Sequence, residues 1–286
     1  MSTDTPARPQ LSHRQILLLM SGLMLGMLLA ALDQTIVGTA LPTIVGELGG
    51  INHYSWVVTA YLLASTASTP LYGKISDLIG RRPVFLFSIG TFLVGSLLAG
   101  LSQNMTELIF TRGIQGIGAG GLMTLAFTII SDVVSPRERG RYQGLFGAVF
   151  GVASVAGPLV GGYFAETNWR WIFYINVPLA IVAIIVAYRV MRLIPFTKRE
   201  HKIDWLGAGL LVIGVSALLL ALSWGGSEYA WGSGTILGLI ALGVVFSGLF
   251  LVQENRASEP ILPLRLFRRP TFALANGAGF ILGLVM

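Results

Sequence analysis

The chain of 286 residues contains no cysteine. Disulfides, thiolate metal sites and cysteine nucleophiles are excluded at once. Histidine is nearly absent, with three residues and no HExxH-like pair. No glycine-rich GxxxxGK loop followed by Ser or Thr exists, so ATP does not drive this chain directly. No Ser/His, Asp/Asp or metal constellation lies within the apolar runs, and no filter-like loop or ring of charge interrupts them. A membrane-embedded enzyme and a channel are both disfavoured. Charge is scarce too: 11% of residues are charged, where a soluble domain carries roughly 25%. With 54% hydrophobic residues, the chain cannot cover a globular surface with polar groups. Its solvent must be lipid. The first ten residues are short, polar and rich in Pro and Thr. No small-residue cleavage site follows the first apolar run, so a cleaved signal peptide is not expected.

What is present is a series of long apolar runs. A bilayer core needs about 20 apolar residues per helix. Eight runs qualify: Ile16–Val37, Tyr54–Tyr72, Val84–Leu101, Leu108–Ile130, Tyr142–Phe164, Trp171–Val190, Trp205–Trp224 and Gly234–Val252. A ninth begins near Phe272 and is still running at Met286, which suggests a truncated chain. These runs are too long for membrane strands and do not alternate. The expectation is an all-α integral membrane protein.

The basic residues fix an orientation. Of 19 Lys and Arg, 17 fall in the N-terminal tail or in loops after even-numbered runs. The opposite loops carry only Arg170, and Arg112 lies inside the fourth run. By the positive-inside rule the N-terminus is cytoplasmic and odd runs lead outward. That asymmetry explains the net charge of +6 without any nucleic-acid partner. It points to a multi-pass protein of the cell (inner) membrane.

One acid stands out. Residues 16–32 contain no charge and only Ser21 as a polar side chain, and then Asp33 appears before the apolar pattern resumes at Ile36. A carboxylate in a membrane-length apolar run costs several kcal/mol unless it meets a partner or a water-filled cavity. Two readings follow. Either the span ends at Leu32 and Asp33 caps it at the interface, or Asp33 is a functional group inside the membrane. Nineteen residues from Arg14 at 1.5 Å each put it about 28 Å along, in the outer half. Arg112 lies a few residues below the outer end of the fourth run, at comparable depth. Tyr61, Trp56 and Met123 are further candidates for a cavity wall, although Trp and Tyr at span ends more often anchor the interface.

The first loop on the basic side reads Gly73-Lys74-Ile75-Ser76-Asp77-Leu78-Ile79-Gly80-Arg81-Arg82-Pro83. Its two glycines permit close approach and a tight reversal. Asp77 can pair across the loop or with a neighbouring helix. This stretch resembles the signature loop of the major facilitator superfamily, with Leu78 where that family usually has a basic residue. Arg112-Gly113-Ile114-Gln115-Gly116 resembles the family's fourth-helix motif with its membrane-embedded arginine. Gly157-Pro158-Leu159-Val160-Gly161-Gly162 resembles the motif of its antiporters. Proline removes a backbone hydrogen bond. Gly147 and Gly151, like Gly157 and Gly161, are spaced to receive another helix. LDQTIVGTALP in the first run, WRWIFYINVP entering the sixth, and PILPLRLF at 260–267 resemble the drug:proton antiporter branch with fourteen spans. That branch often has Asn where Gly38 stands.

The resemblance, covering about 25–272, implies a definite layout. Residues 1–14 form a cytoplasmic tail and 15–192 an N-terminal six-helix bundle. Residues 193–204 are a cytoplasmic loop, 205–253 two additional helices, 254–271 another cytoplasmic loop, and 272–286 the start of the C-terminal bundle. The six spans should divide into two inverted three-helix units, with the first and fourth equivalent. It also implies a proton-coupled exporter of small amphipathic or cationic molecules, working by alternating access as a monomer, without a cofactor. A symporter, or a metabolite or siderophore exporter on the same fold, is the alternative. Asp33 and Arg112 would face the central cavity and carry proton coupling and substrate. Gly73, Asp77, Gly80, Arg81 and Arg82, with Asp132 and Arg141, would form the cytoplasmic gate.

Overall fold

The computed structural model describes residues 12–50, 53–135, 137–193 and 204–285. The chain divides into two compact units, residues 1–200 and 201–286, each treated by itself below. Arg8, Lys198, Arg199 and Lys202, which contribute to the charge asymmetry, lie outside the described residues, as does most of the expected loop 193–204.

The first five apolar runs each become one helix, and several of these helices extend well past the run. Helix α1 spans His13–Leu48, 36 residues. It starts early because Ser12 and Gln15 form a capping box that satisfies two free amides. It continues straight through Asp33, which removes the capping reading of that acid. Helix α2 (Tyr54–Ile79) meets α3 (Arg81–Leu101) at Gly80, whose φ of 101° makes the tight reversal. Helix α4 (Met105–Val133) begins where the Asn104 side chain accepts the Glu107 amide at 2.9 Å. Helix α5 runs Arg139–Thr167. The sixth run forms α6 (Trp171–Tyr174) and α7 (Asn176–Val190). The interruption at Ile175 has a local cause: Pro178 has no N–H to offer the carbonyl of Tyr174, four residues back.

Among the described residues, seven helices are long and apolar enough to cross a membrane, counting α6 and α7 as one stretch. Helix α2 is not among them, a correction to the eight runs expected. It has 26 residues but is rich in Ser and Thr. Ser65 and Thr69 bond the carbonyls of Leu62 and Ser65 within the same helix. A polar helix of this kind is tolerated by packing against others, and α2 packs chiefly on α4.

Contacts at the two ends of the unit show alternating direction. At one end, His13 of α1 shares a 2.9 Å hydrogen bond with Tyr142 near the start of α5, and Arg81 at the start of α3 reaches Asp132 at the end of α4. At the other, Arg170 donates to the carbonyl of Ser102 and lies 3.9 Å from Glu47. The first end carries the basic loops and is called the basic face here.

The packing is paired. Helix α4 packs on α2 and α3, while α1 packs on α5 and α7. This is the relation expected of two three-helix repeats with α1 and α4 equivalent. Glycines make the close approaches. A methyl at Gly116 or Gly120 would overlap the carbonyl of Tyr61 or Ser65 on α2, and one at Gly118 would overlap the Phe92 backbone on α3. Gly157 and Gly161 on α5 receive Thr35 and Ile36 of α1. A Cβ at Gly147 or Gly151 would meet open space among the described residues, so the expected groove there is unfilled.

The second unit contains α8 (Trp205–Trp224), α9 (Gly234–Arg256) and α10 (Pro270–Val285). Helices α8 and α9 pack at Gly214 against Ser247 and at Gly243 against Leu218. Asp204 caps α8 by accepting the Gly207 amide at 2.9 Å and also holds Gln253. Buried Glu254 accepts the amides of Ile261 and Leu262, at 3.2 and 2.7 Å, and so fixes the loop before α10. Its charge is absorbed structurally.

Candidate functional site

In the first unit, five helices bring polar side chains to one buried point. Asp33 on α1 is 0% exposed and Arg112 on α4 1%. Their Oδ2 and Nη1 atoms are 2.5 Å apart. A buried ion pair survives only when the remaining polar valences are also met. Here Gln115, one turn along α4, does most of that. Its Oε1 accepts from Arg112 at 2.7 Å, and its Nε2 donates to Asp33 Oδ1 at 2.7 Å. Tyr61 of α2 lays its ring 4.2 Å from the Arg112 guanidinium carbon and donates its hydroxyl to the Ala30 carbonyl at 3.3 Å. A guanidinium over a desolvated ring gains about 2 kcal/mol.

The fourth and fifth helices enter through Asn176 and Ser96. Asn176 Nδ2 donates to Asp33 Oδ1 at 3.0 Å and to Ser96 Oγ at 2.9 Å. Ser96 passes its own proton to the Phe173 carbonyl at 2.8 Å. Both Asn176 and Ser96 are fully buried. Two atoms of the cluster remain unpartnered: Arg112 Nε and Asn176 Oδ1. Arg112 and Tyr61 each stand seven residues from the start of their helix, about 10 Å at helical rise. The cluster therefore lies nearer the face opposite the basic loops.

The expectation is that Asp33 and Arg112 face the central cavity; within this unit both side chains are buried. Both are enclosed by their own bundle, because Gln115, Asn176, Tyr61 and Ser96 close around them. The pair holds α1 to α4 and α7. A ligand in an adjoining cleft does not touch the carboxylate in this arrangement.

The antiporter-like stretch seats the same segment of α1. Thr35, two residues beyond Asp33, fits over Gly157, and its Oγ1 lies 3.1 Å from the Ala153 carbonyl of α5. Pro158 lies within α5, while a Cβ at Gly162 would meet open space among the described residues.

On the basic face, Arg81 is the hub. It pairs with Asp77 at 2.5 Å and Asp132 at 3.0 Å. It also donates to the Gly73 carbonyl at 3.3 Å and to the Ser76 hydroxyl. The expected gate residues Asp77, Arg81 and Asp132 thus converge, tying α2, α3 and α4 together. Arg82 does not join them; it stacks on Tyr188 of α7. Arg141 has no side-chain partner among the described residues. A Cβ at Gly73 would meet open space, so the close approach expected there is absent within this unit.

Sequence reasoning missed Asn176 and Ser96 and gave Tyr61 little weight. Asn176 was visible as an amide inside an apolar run, the kind of residue that pays for burial only with partners. Ser96 carried no signal, since serine is common in membrane helices.

Comparison with known proteins agrees with this architecture. The chain is 46% identical over 272 residues to the multidrug transporter protein MdtP of Bacillus subtilis, covering 94% of this chain and 50% of that protein. It is 43% identical over 281 residues to multidrug resistance protein 3 of the same organism, covering 98% and 54%. It spans about half the length of these curated relatives. Among solved structures, the human organic anion transporter MFSD10 superposes with a TM-score of 0.60 at 21% identity, covering 96% of this chain and 70% of that one. The D-xylose-proton symporter does so at 0.56 and 16%, covering 82% and 67%. These likenesses establish the fold. The sequence profile described as Major Facilitator Superfamily matches residues 23–285, and the chain belongs to that family.

Proposed function

We propose that this chain supplies the N-terminal bundle of a proton-driven multidrug exporter. On this reading it lies in the cell (inner) membrane with the basic face in the cytoplasm. The observation that carries the reading is the enclosed Asp33–Arg112 pair in a bundle of this family. A proton on Asp33 cancels its charge and weakens its hold on Arg112, Gln115 and Asn176. Arg112 then keeps only Gln115 Oε1 and the Tyr61 ring as partners. The α1–α4–α7 junction loosens, and α1 can shift against α5 on the smooth seat of Gly157 and Gly161. Coupling runs through helix packing, with no need for substrate to contact Asp33. Inward proton movement down the gradient would drive outward export, with the Arg81 bridge releasing and re-forming as the cytoplasmic side opens and closes.

The substrate class rests on two supports. Relatives with matching sequence are called multidrug transporters. In addition, an apolar crevice of about 510 Å³ lies between α1 and α5, lined by residues such as Met20, Met24, Leu28, Leu145 and Val149, with Ser21 its polar member. Such a surface suits hydrophobic or amphipathic small molecules.

The test is Asp33→Asn in the intact transporter, reconstituted in vesicles with a fluorescent cationic dye. Dye-induced proton release and uphill dye export should both be lost, while the protein still inserts and elutes as a single species. Proton release and export at the wild-type rate would refute the coupling role. In the same vesicles, Asp77→Lys should slow export, because a cation there repels Arg81 where the carboxylate paired with it; an unchanged rate would remove the gate from the account.

A further inference from the structure

The basic face of the first unit holds one arrangement that neither the buried pair nor the Arg81 bridge uses. Arg82 lies at the start of α3 and Tyr188 near the end of α7. The Arg82 guanidinium carbon is 4.2 Å from the centre of the Tyr188 ring, and that of Arg192 is 4.5 Å from the same centre. Arg192 also donates to the Tyr188 hydroxyl at 2.7 Å. Two like charges are gathered on one ring, and neither pairs with a carboxylate among the described residues. Arg82 Nε is buried and without a partner. The contrast with Arg81 next to it, which bridges two acids, shows that carboxylates are not simply absent from this face. Two like charges drawn to one ring repel, and the ring offsets only part of that cost. An anion with several acceptor oxygens would complete the set.

The surface beneath has the matching character. Ile185 and Ile181 lie three and seven residues before Tyr188, on the same face of α7, and are 47% and 48% exposed. Phe87, five residues into the membrane from Arg82 on the adjoining α3, is 63% exposed. In a membrane-spanning chain, exposed apolar side chains of this kind are suited to hydrocarbon. Donors for a phosphate thus stand directly above a strip for an acyl chain.

We propose that Arg82, Tyr188 and Arg192 bind the phosphate of an anionic phospholipid, whose acyl chain runs along Ile185 and Ile181. Basic pockets between membrane helices on the side of the basic loops are suited to such headgroups, and each nearby cation adds to the attraction. The bound lipid would bridge α3 and α7, the two helices that also carry Ser96 and Asn176.

Native mass spectrometry of the full chain in a neutral detergent tests this, with phosphatidylglycerol and phosphatidylcholine offered in equal amounts. Wild type should retain phosphatidylglycerol in preference by roughly tenfold. Arg82→Gln with Arg192→Gln should bring the ratio near parity, whereas Arg265→Gln with Arg268→Gln, in the second unit, should keep it. Arg82→Lys with Arg192→Lys should keep part of the preference, which separates loss of binding from loss of fold. No preference in wild type, or an unchanged preference in the glutamine pair, would overturn the proposal. If inorganic phosphate displaces the lipid as well as added phosphatidylglycerol does, the site is one for free phosphate and the lipid assignment fails.

Discussion

Asn176 shows what a single amide can do at a buried charge. Its Nδ2 supplies one of the two neutral donors to Asp33 Oδ1, the other being Gln115. Its second proton goes to Ser96, whose own proton is committed to the Phe173 carbonyl. Leucine at this position would nearly match the volume but remove both donors. A hydrogen bond to a charged group contributes about 1.5–3 kcal/mol, so Asn176→Leu should lower the unfolding temperature measurably in detergent. Transport should fall further than stability alone requires, because Asp33 loses its tie to α7. Thermal melting alongside dye export in vesicles checks both; wild-type values for the two would show that the amide is a bystander. Asp33 and Arg112 were legible in the sequence because ionisable groups are so rare in its apolar runs. Their mutual contact followed only from the equivalence of α1 and α4. Enclosure was not legible, since it depends on side chains from α2, α3 and α7 that converge only after folding.

At the scale of helices, glycine placement decides which surfaces meet. Helix α4 uses two faces: Gly116 and Gly120 against α2, Gly118 and Gly121 against α3. Gly116 has a backbone carbonyl in its way, which cannot swing aside as a flexible side chain would. Gly113 on the same helix has open space. Gly116→Ala should therefore force α2 and α4 apart and cost about 1–3 kcal/mol. Gly113→Ala should be neutral or stabilising by up to about 1 kcal/mol, from helix propensity alone. Thermal melting of the two variants in one detergent gives the comparison. Equal stability would mean that α2 rests on α4 less firmly than the geometry requires. Span positions were legible from apolar length, and the helix ends moved outward because Ser12, Asn104 and Gly80 govern them locally. Glycine spacing was a weaker guide. It marked Gly157 and Gly161 correctly but also marked Gly147 and Gly151, because a four-residue period fixes one helix face without saying what lies opposite it.

For the molecule as a whole, the most consequential pattern is the segregation of basic residues, and the absence of cysteine makes its meaning directly measurable. Within the first unit the ends carrying Arg14, Arg81, Arg82, Arg139 and Arg192 are gathered by contacts such as His13–Tyr142 and Arg82–Tyr188. The ends near Glu47, Ser102 and Arg170 meet at the opposite face. Geometry gives two faces, and the positive-inside rule says which is cytoplasmic. A single cysteine placed in this cysteine-free chain reports its side without background. Gln103→Cys, at the turn before α4, and Gly232→Cys, at the turn before α9, should react with a membrane-impermeant maleimide added to intact cells. Glu138→Cys, before α5, and Ser258→Cys, after α9, should react only once the membrane is permeabilised. All four positions are exposed in the structure, so lack of labelling reflects the membrane and not burial. If Gln103→Cys and Glu138→Cys label from the same side, α4 does not cross the bilayer. If all four report the reverse assignment, the basic face points outward, and the inward proton path proposed for Asp33 would have to run the other way.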